Sequence, residues 1–167
     1  KELNTLPDKI GMMGFSAGAM LTGWCATKFD QGNPEAADPV ERCSSRPDAA
    51  VLCYGAGSWL PVSKGLLGYD RARFAKYAED AIERNVTPAC PPFFIWQCAG
   101  MDDPRNATQL TDVLTACGVP FELHIFPYGA HGTALSNEMH PSESANDPHV
   151  ARWVDLCCEW LRRYQHF

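Results

Sequence analysis

Short apolar runs alternate with amphipathic segments along most of the chain. Runs of strand length lie at 9–15, 49–57, 93–98 and 121–127. Segments with apolar residues at helical spacing lie at 16–29, 70–85, 106–118 and 147–164. The polar, proline-broken stretch 30–47 predicts a loop, and 59–69 is irregular. This order predicts an α/β fold: one domain over 1–167 with a parallel sheet flanked by helices.

The stretch GFSAGA at 14–19 directly follows the first apolar run and opens the first predicted helix. It fits the pattern G-x-S-x-G, in which a serine stands on a tight turn between strand and helix and serves as a nucleophile. The other interpretation is a loop that happens to be rich in small residues. The preceding strand and following helix favour Ser16 as a nucleophile.

A serine nucleophile needs a base and an acid that orients the base, in the chain order Ser, Asp or Glu, His. Asp102 and Asp103 follow the strand 93–98, and His131 follows the strand 121–127. Because loops at the carboxyl ends of parallel strands meet at one edge of a sheet, we expect these side chains to converge. Four other histidines compete with His131 for this role. His124 lies within a predicted strand, where burial is expected. His140 and His149 lie in or beside a loop, and His166 lies at the chain end.

Composition narrows the functional classes. The length of 167 residues suits one domain, and the net charge of −6 argues against non-specific nucleic-acid binding,. No apolar run is long enough to cross a membrane. The eight cysteines form neither a CxxC pair nor a cluster at zinc spacing,. We therefore expect free, mostly buried thiols, no metal or cofactor, and, with no signal peptide visible, a cytoplasmic protein.

Four stretches carry a family resemblance: GFSAGA, NVTPACPPFFIWQC, GVPFELHIFPYGAHG and NDPHVARWVDLCCEWL. Together they resemble the carbohydrate-ester branch of the α/β-hydrolases, the acetyl-xylan-esterase-like and feruloyl-esterase-like proteins. The resemblance implies that Ser16 is the nucleophile, that His131 is the general base and that the Ala17 N–H serves the oxyanion hole. The stretch GMDDPR resembles the family's G-x-x-D-P-R, which selects Asp103 as the acid. Asp102 is the alternative, because this loop is about two residues shorter than the family's.

The resemblance covers the C-terminal portion of the family's fold. Family members have several strands before the turn that carries the nucleophile, and these strands have no counterpart here. The family's H-G-G-G stretch, which provides the second oxyanion donor, has no counterpart here either. The family's strand order therefore implies an unpaired apolar edge on the strand 9–15, covered by a second chain or a second copy, unless the sequence is a gene fragment. Loss of one oxyanion donor lowers turnover by about 10²–10³-fold, so we expect the chain alone to be weakly active or inert.

These features predict a serine esterase that removes acetyl or related acyl groups from carbohydrates or small alcohols. One alternative is a peptidase of the prolyl-oligopeptidase type. Another is a truncated, non-catalytic module that acts by association. Trp59 is a candidate for stacking on a sugar, although a role in the core explains it equally well.

Overall fold

The computed structural model describes residues 6–57, 78–100, 102–139, 142 and 145–167. Its four strands form one parallel sheet in the order β1-β2-β3-β4. The strands are β1 (Gly11–Phe15), β2 (Ala49–Cys53), β3 (Phe93–Cys98) and β4 (Phe121–Phe126). This sheet and its flanking helices confirm the predicted α/β class. The second strand ends earlier than expected, because Tyr54 has a φ of 42° and leaves the extended conformation,.

The helices lie close to their predicted positions. They are α1 (Ala17–Thr27), α2 (Arg105–Ala116), α3 (Pro148–Ala151) and α4 (Trp153–Tyr164). The predicted final helix is therefore two helices, and the Asp147 carboxylate caps the first by accepting from the N–H groups of His149 and Val150,. Short 3₁₀ turns lie at Val40–Arg42, within the predicted loop, and at Ile82–Arg84. Most of the predicted helix 70–85 lies outside the described residues.

Side chains of β2 and β3 alternate between two cores, one on each face of the sheet. On one face, Leu52 and Ile95 pack with buried residues of α1 and α2. On the other face, Val51 and Trp96 pack with buried residues of α3 and α4. Both strands are fully buried, which explains why they read as continuous apolar runs rather than as alternating ones,.

The strand β1 lies at one edge of the described sheet. Among the described residues it pairs with β2 alone. Ile10 and Met13 beside this edge are 49% and 46% exposed. No helix in the described part of the chain is long and apolar enough to cross a bilayer.

The cysteines are free, and four of them are buried: Cys53, Cys90, Cys98 and Cys157. Burial raises the pKa of the Cys53 and Cys157 thiols to about 12 and that of Cys98 to about 11. These thiols therefore stay protonated in the folded chain well above neutral pH, and they are poor nucleophiles. His124, expected to be buried, is only partly buried in β4, with 25% of its side chain exposed, and it pairs with Glu122 at 2.7 Å. On this edge strand its side chain reaches solvent.

The buried thiols predict a loss of stability in alkali. A solvated thiol has a pKa of 9.0, so it ionises in the unfolded chain at a lower pH than in the folded chain. Between about pH 9 and the folded pKa, the unfolded state therefore binds fewer protons than the folded state, and the free energy of unfolding falls. One such thiol lowers the free energy of unfolding at pH 10 by about 1.4 kcal/mol relative to pH 8. Urea denaturation in the presence of a reductant measures the free energy of unfolding at pH 8 and at pH 10. The decrease between these two pH values should be smaller in Cys157→Ala than in the wild type, by about this amount.

Cys43→Ala is the matched control, because solvent reaches the exposed Cys43 thiol in the folded and unfolded chain alike. It should keep the wild-type difference between the two pH values. An equal alkaline loss in Cys157→Ala and in the wild type would contradict the burial argument.

Candidate active site

Ser16 stands on the turn between β1 and α1 in a conformation that few residues adopt. Its φ is 54° and its ψ is −120°. The Ser16 N–H donates to the carbonyl of Cys53 at 2.9 Å, which ties the turn to the end of β2. The Ser16 carbonyl accepts from the N–H of Ala19 at 3.0 Å and so begins the helix. Strain of this kind persists only where surrounding contacts impose it, and it is concentrated at functional sites.

Two glycines make this tight turn possible. A Cβ at Gly14 would overlap the carbonyl of Gly18 and lie 2.5 Å from Thr22 Oγ1. A Cβ at Gly55 would overlap the Ser16 carbonyl oxygen. The backbones of β1, α1 and the end of β2 therefore approach each other more closely than any side chain permits.

The structure brings His131 to Ser16. The Ser16 Oγ and His131 Nε2 atoms are 2.7 Å apart, although 115 positions separate the residues in sequence. His131 lies on the loop after β4, between Gly129 and Gly132, whose φ values are 132° and 83°. At Gly129 a Cβ would lie 2.5 Å from Cys98 Sγ, so this loop also passes close to the end of β3.

The carboxylate at His131 belongs to Asp102, which corrects the sequence-based choice of Asp103. Asp102 Oδ1 lies 2.8 Å from His131 Nδ1 and the side chain is buried. An ionised carboxylate only accepts hydrogen bonds, so Nδ1 carries the proton and donates to it. Nε2 is then left as the acceptor for the Ser16 hydroxyl.

Local backbone bonds explain why the earlier aspartate is the one that reaches the imidazole. The Asp102 N–H donates to the carbonyl of Cys98 at 3.1 Å, which closes a tight turn directly after β3. Asp103 is instead engaged at the start of α2, where its carboxylate accepts from the N–H and the guanidinium of Arg105. This guanidinium holds the pKa of the Asp103 carboxyl below its usual range.

Tyr54 is a neighbour of His131 that the sequence did not single out. Its ring meets the imidazole edge-on, with 5.1 Å between the ring centroids. Burial raises the pKa of the Tyr54 hydroxyl, which therefore stays protonated near neutral pH. Its place at the carboxyl end of β2, before the small residues GAG, was the available signal.

The other predicted site features are only partly covered by the structure. Ala17 is the first residue of α1, so its N–H has no acceptor within the helix and lies beside Ser16,. Trp59 lies outside the described residues. In the described part of the chain, no group of three or more His, Cys, Asp or Glu residues is arranged to hold a metal ion.

Comparison with known proteins places this geometry in context. An acetyl ester-xyloside bifunctional hydrolase from Caldicellulosiruptor lactoaceticus is 36% identical with a TM-score of 0.79, and the match covers 95% of this chain and 58% of that one. A sugar hydrolase from Lactococcus lactis is 29% identical with a TM-score of 0.74, covering 95% and 59%. Endo-1,4-beta-xylanase B of Butyrivibrio fibrisolvens is 31% identical over 140 residues, which are 78% of this chain and 21% of that protein. No protein-family model matches the chain.

The chain spans just under three fifths of the length of the two similar structures and about a fifth of the curated relative. The described sheet and helices have the architecture of the C-terminal part of the hydrolase fold, as the sequence predicted.

The two outer glycines of the G-x-S-x-G stretch offer a matched pair of substitutions. Gly14→Ala places a methyl group against backbone and should lower the free energy of unfolding by at least about 3 kcal/mol. Gly18→Ala meets nothing within 4 Å and should leave stability unchanged or raise it by up to about 1 kcal/mol,. Urea denaturation measures both, and equal stability of the two variants would contradict the close approach at Gly14.

Proposed function

We propose that this chain, which has the fold of the C-terminal part of the α/β-hydrolases, carries the nucleophile, base and acid of a serine esterase. The observation that supports this most is the continuous series of contacts from the Ser16 hydroxyl through His131 to the buried Asp102. Three side chains from three separate strand ends meet in the order that general-base activation of a hydroxyl requires.

The chemistry follows from these contacts. His131 Nε2 takes the proton of the Ser16 hydroxyl as its oxygen attacks the ester carbonyl, and it then returns that proton to the leaving alcohol. Asp102 holds the imidazole in the tautomer with the proton on Nδ1 and stabilises the imidazolium that forms. Water, activated by the same imidazole, attacks the resulting acyl-serine, releases the acid and restores Ser16.

The N-terminus of α1 is placed to stabilise the developing oxyanion. The N–H of Ala17 follows the nucleophile directly, and the helix dipole adds positive potential there,. A second donor, by this proposal, comes from a second chain or a second copy of this chain. That partner would also pair with the edge of β1 that has no partner strand among the described residues.

The site favours esters over glycosides as substrates. Glycoside hydrolysis uses two carboxylates that face each other across the scissile bond. Here the buried carboxylate of Asp102 is engaged by His131 instead. The xylanase relative aligns with this chain over only 21% of its length, so its name need not describe the aligned region. We propose acetyl or similar small acyl esters, on carbohydrates or small alcohols, as the substrate class.

The two adjacent aspartates provide the sharpest test. Asp102→Asn should lower kcat for p-nitrophenyl acetate by about 10³–10⁴-fold, because an amide no longer fixes the tautomer of His131. Asp103→Asn is the matched control, and its kcat should stay within about threefold of the wild-type value. The Asp103 carboxylate pairs with Arg105 at the surface, and such a pair contributes little to stability,. Ser16→Ala should lower kcat by about 10³-fold or more.

The alternatives give different outcomes in the same assays. A peptidase of the prolyl-oligopeptidase type would cleave an aminoacyl-proline amide in preference to the acetyl ester. A non-catalytic module would show no activity that depends on Ser16. Equal losses in Asp102→Asn and Asp103→Asn would contradict the assigned acid.

A further inference from the structure

We propose that Tyr54 is a positioning residue for His131, holding the loop that carries the imidazole through its hydroxyl and bracing the imidazole with its ring. The inference rests on the proposed function of His131 as a general base. It adds a residue from the end of β2, an element that supplies none of the three proposed catalytic side chains.

The Tyr54 hydroxyl makes a hydrogen bond to the loop that carries His131. The N–H of Ala134 donates to the Tyr54 oxygen at 3.1 Å. On the other side of the same residue, the Trp153 Nε1–H donates to the Ala134 carbonyl at 3.1 Å. Two aromatic side chains from different elements therefore fix the peptides before and after the Cα atom of Ala134, three residues from His131.

Ala134 is held in a conformation that it would not adopt unaided. Its φ is 48°, in the left-handed region that residues with a Cβ rarely occupy,. Such a conformation costs of order 1–3 kcal/mol and persists only where surrounding contacts impose it. Loss of the hydroxyl contact would let this part of the loop relax toward ordinary dihedrals and shift the backbone that leads to His131.

The Tyr54 ring also limits where the imidazole can lie. It meets His131 edge-on at 5.1 Å between centroids, and Trp96 contacts the same tyrosine edge-on at 5.1 Å. The Tyr54 N–H donates to the Trp96 carbonyl at 2.7 Å, so the tyrosine is anchored to β3 as well. Because the Tyr54 ring is buried and anchored, it restricts the imidazole to a position in which it faces Ser16.

Tyr54 also connects the base to the nucleophile. The residue before it, Cys53, accepts from the Ser16 N–H, and the residue after it, Gly55, packs against the Ser16 carbonyl. The backbone at 53–55 thus contacts the Ser16 turn while the Tyr54 side chain contacts the His131 loop. The loop has a separate anchor at Ser136, whose hydroxyl donates to the carbonyl of Ala145 at 2.8 Å. Removal of the Tyr54 hydroxyl should therefore loosen the loop without releasing it.

The test compares Tyr54→Phe with Tyr164→Phe in the full chain. Tyr54→Phe keeps the ring and removes the hydroxyl, and it should lower kcat for p-nitrophenyl acetate about tenfold with KM changed by less than about twofold. Tyr164, 62% exposed at the end of α4, is the matched control and should keep wild-type kcat. A purely structural role would lower the unfolding temperature but leave kcat of the folded protein unchanged.

A second measurement does not depend on turnover. The Nδ1 proton that His131 shares with Asp102 should give a downfield proton NMR signal in the wild type and in Tyr164→Phe. In Tyr54→Phe this signal should broaden or vanish through faster exchange with water. A wild-type signal in Tyr54→Phe would overturn the proposal, as would absence of the signal from the wild type. Retention of wild-type kcat by an active Tyr54→Phe would also overturn it.

The two measurements separate this proposal from the proposed function. A wild type that shows the His131 signal but no esterase activity would refute the esterase and leave the NMR comparison to decide the role of Tyr54. Where Tyr54→Phe does not fold, Trp153→Phe removes the donor on the other side of Ala134. That variant should weaken the same signal, and an unchanged signal would overturn the proposed anchoring of the loop.

Discussion

The short contact between the Ser16 hydroxyl and the His131 imidazole depends on a strained turn that the rest of the fold maintains. Ser16 has a positive φ because β1, α1 and the end of β2 meet with no room for side chains at Gly14 or Gly55. The sheet thereby points a hydroxyl out of its carboxyl edge. Without that constraint the serine would relax, and the imidazole would have no oxygen to face.

The parallel sheet explains how residues distant in sequence reach one another. Each strand ends at the same edge, and each proposed catalytic side chain lies on a turn or loop directly after a strand: Ser16 after β1, Asp102 after β3 and His131 after β4. The fully buried strands β2 and β3 form the rigid centre of this arrangement. Turns and loops carry these side chains, and the packed strands fix the distances between them.

The sequence predicted features with a strong local signature, and it failed where several chain segments decide. Hydrophobic runs located the four strands, and G-x-S-x-G located the turn at Ser16. The choice between Asp102 and Asp103 depended on the path of a shortened loop and on which carboxylate Arg105 engages, so the family pattern pointed to the neighbour that does not contact His131. The contacts of Tyr54 join β2, β3 and the His131 loop, and no local pattern encodes them.

The most direct test of the account is to locate the nucleophile by chemistry. A fluorophosphonate probe reacts with a serine hydroxyl that an adjacent base has activated, and peptide mass spectrometry identifies the modified residue. We expect a single adduct on Ser16 that disappears in His131→Ala while the folded structure is retained. A well-folded chain that remains unlabelled, or that is labelled on another residue, would contradict it.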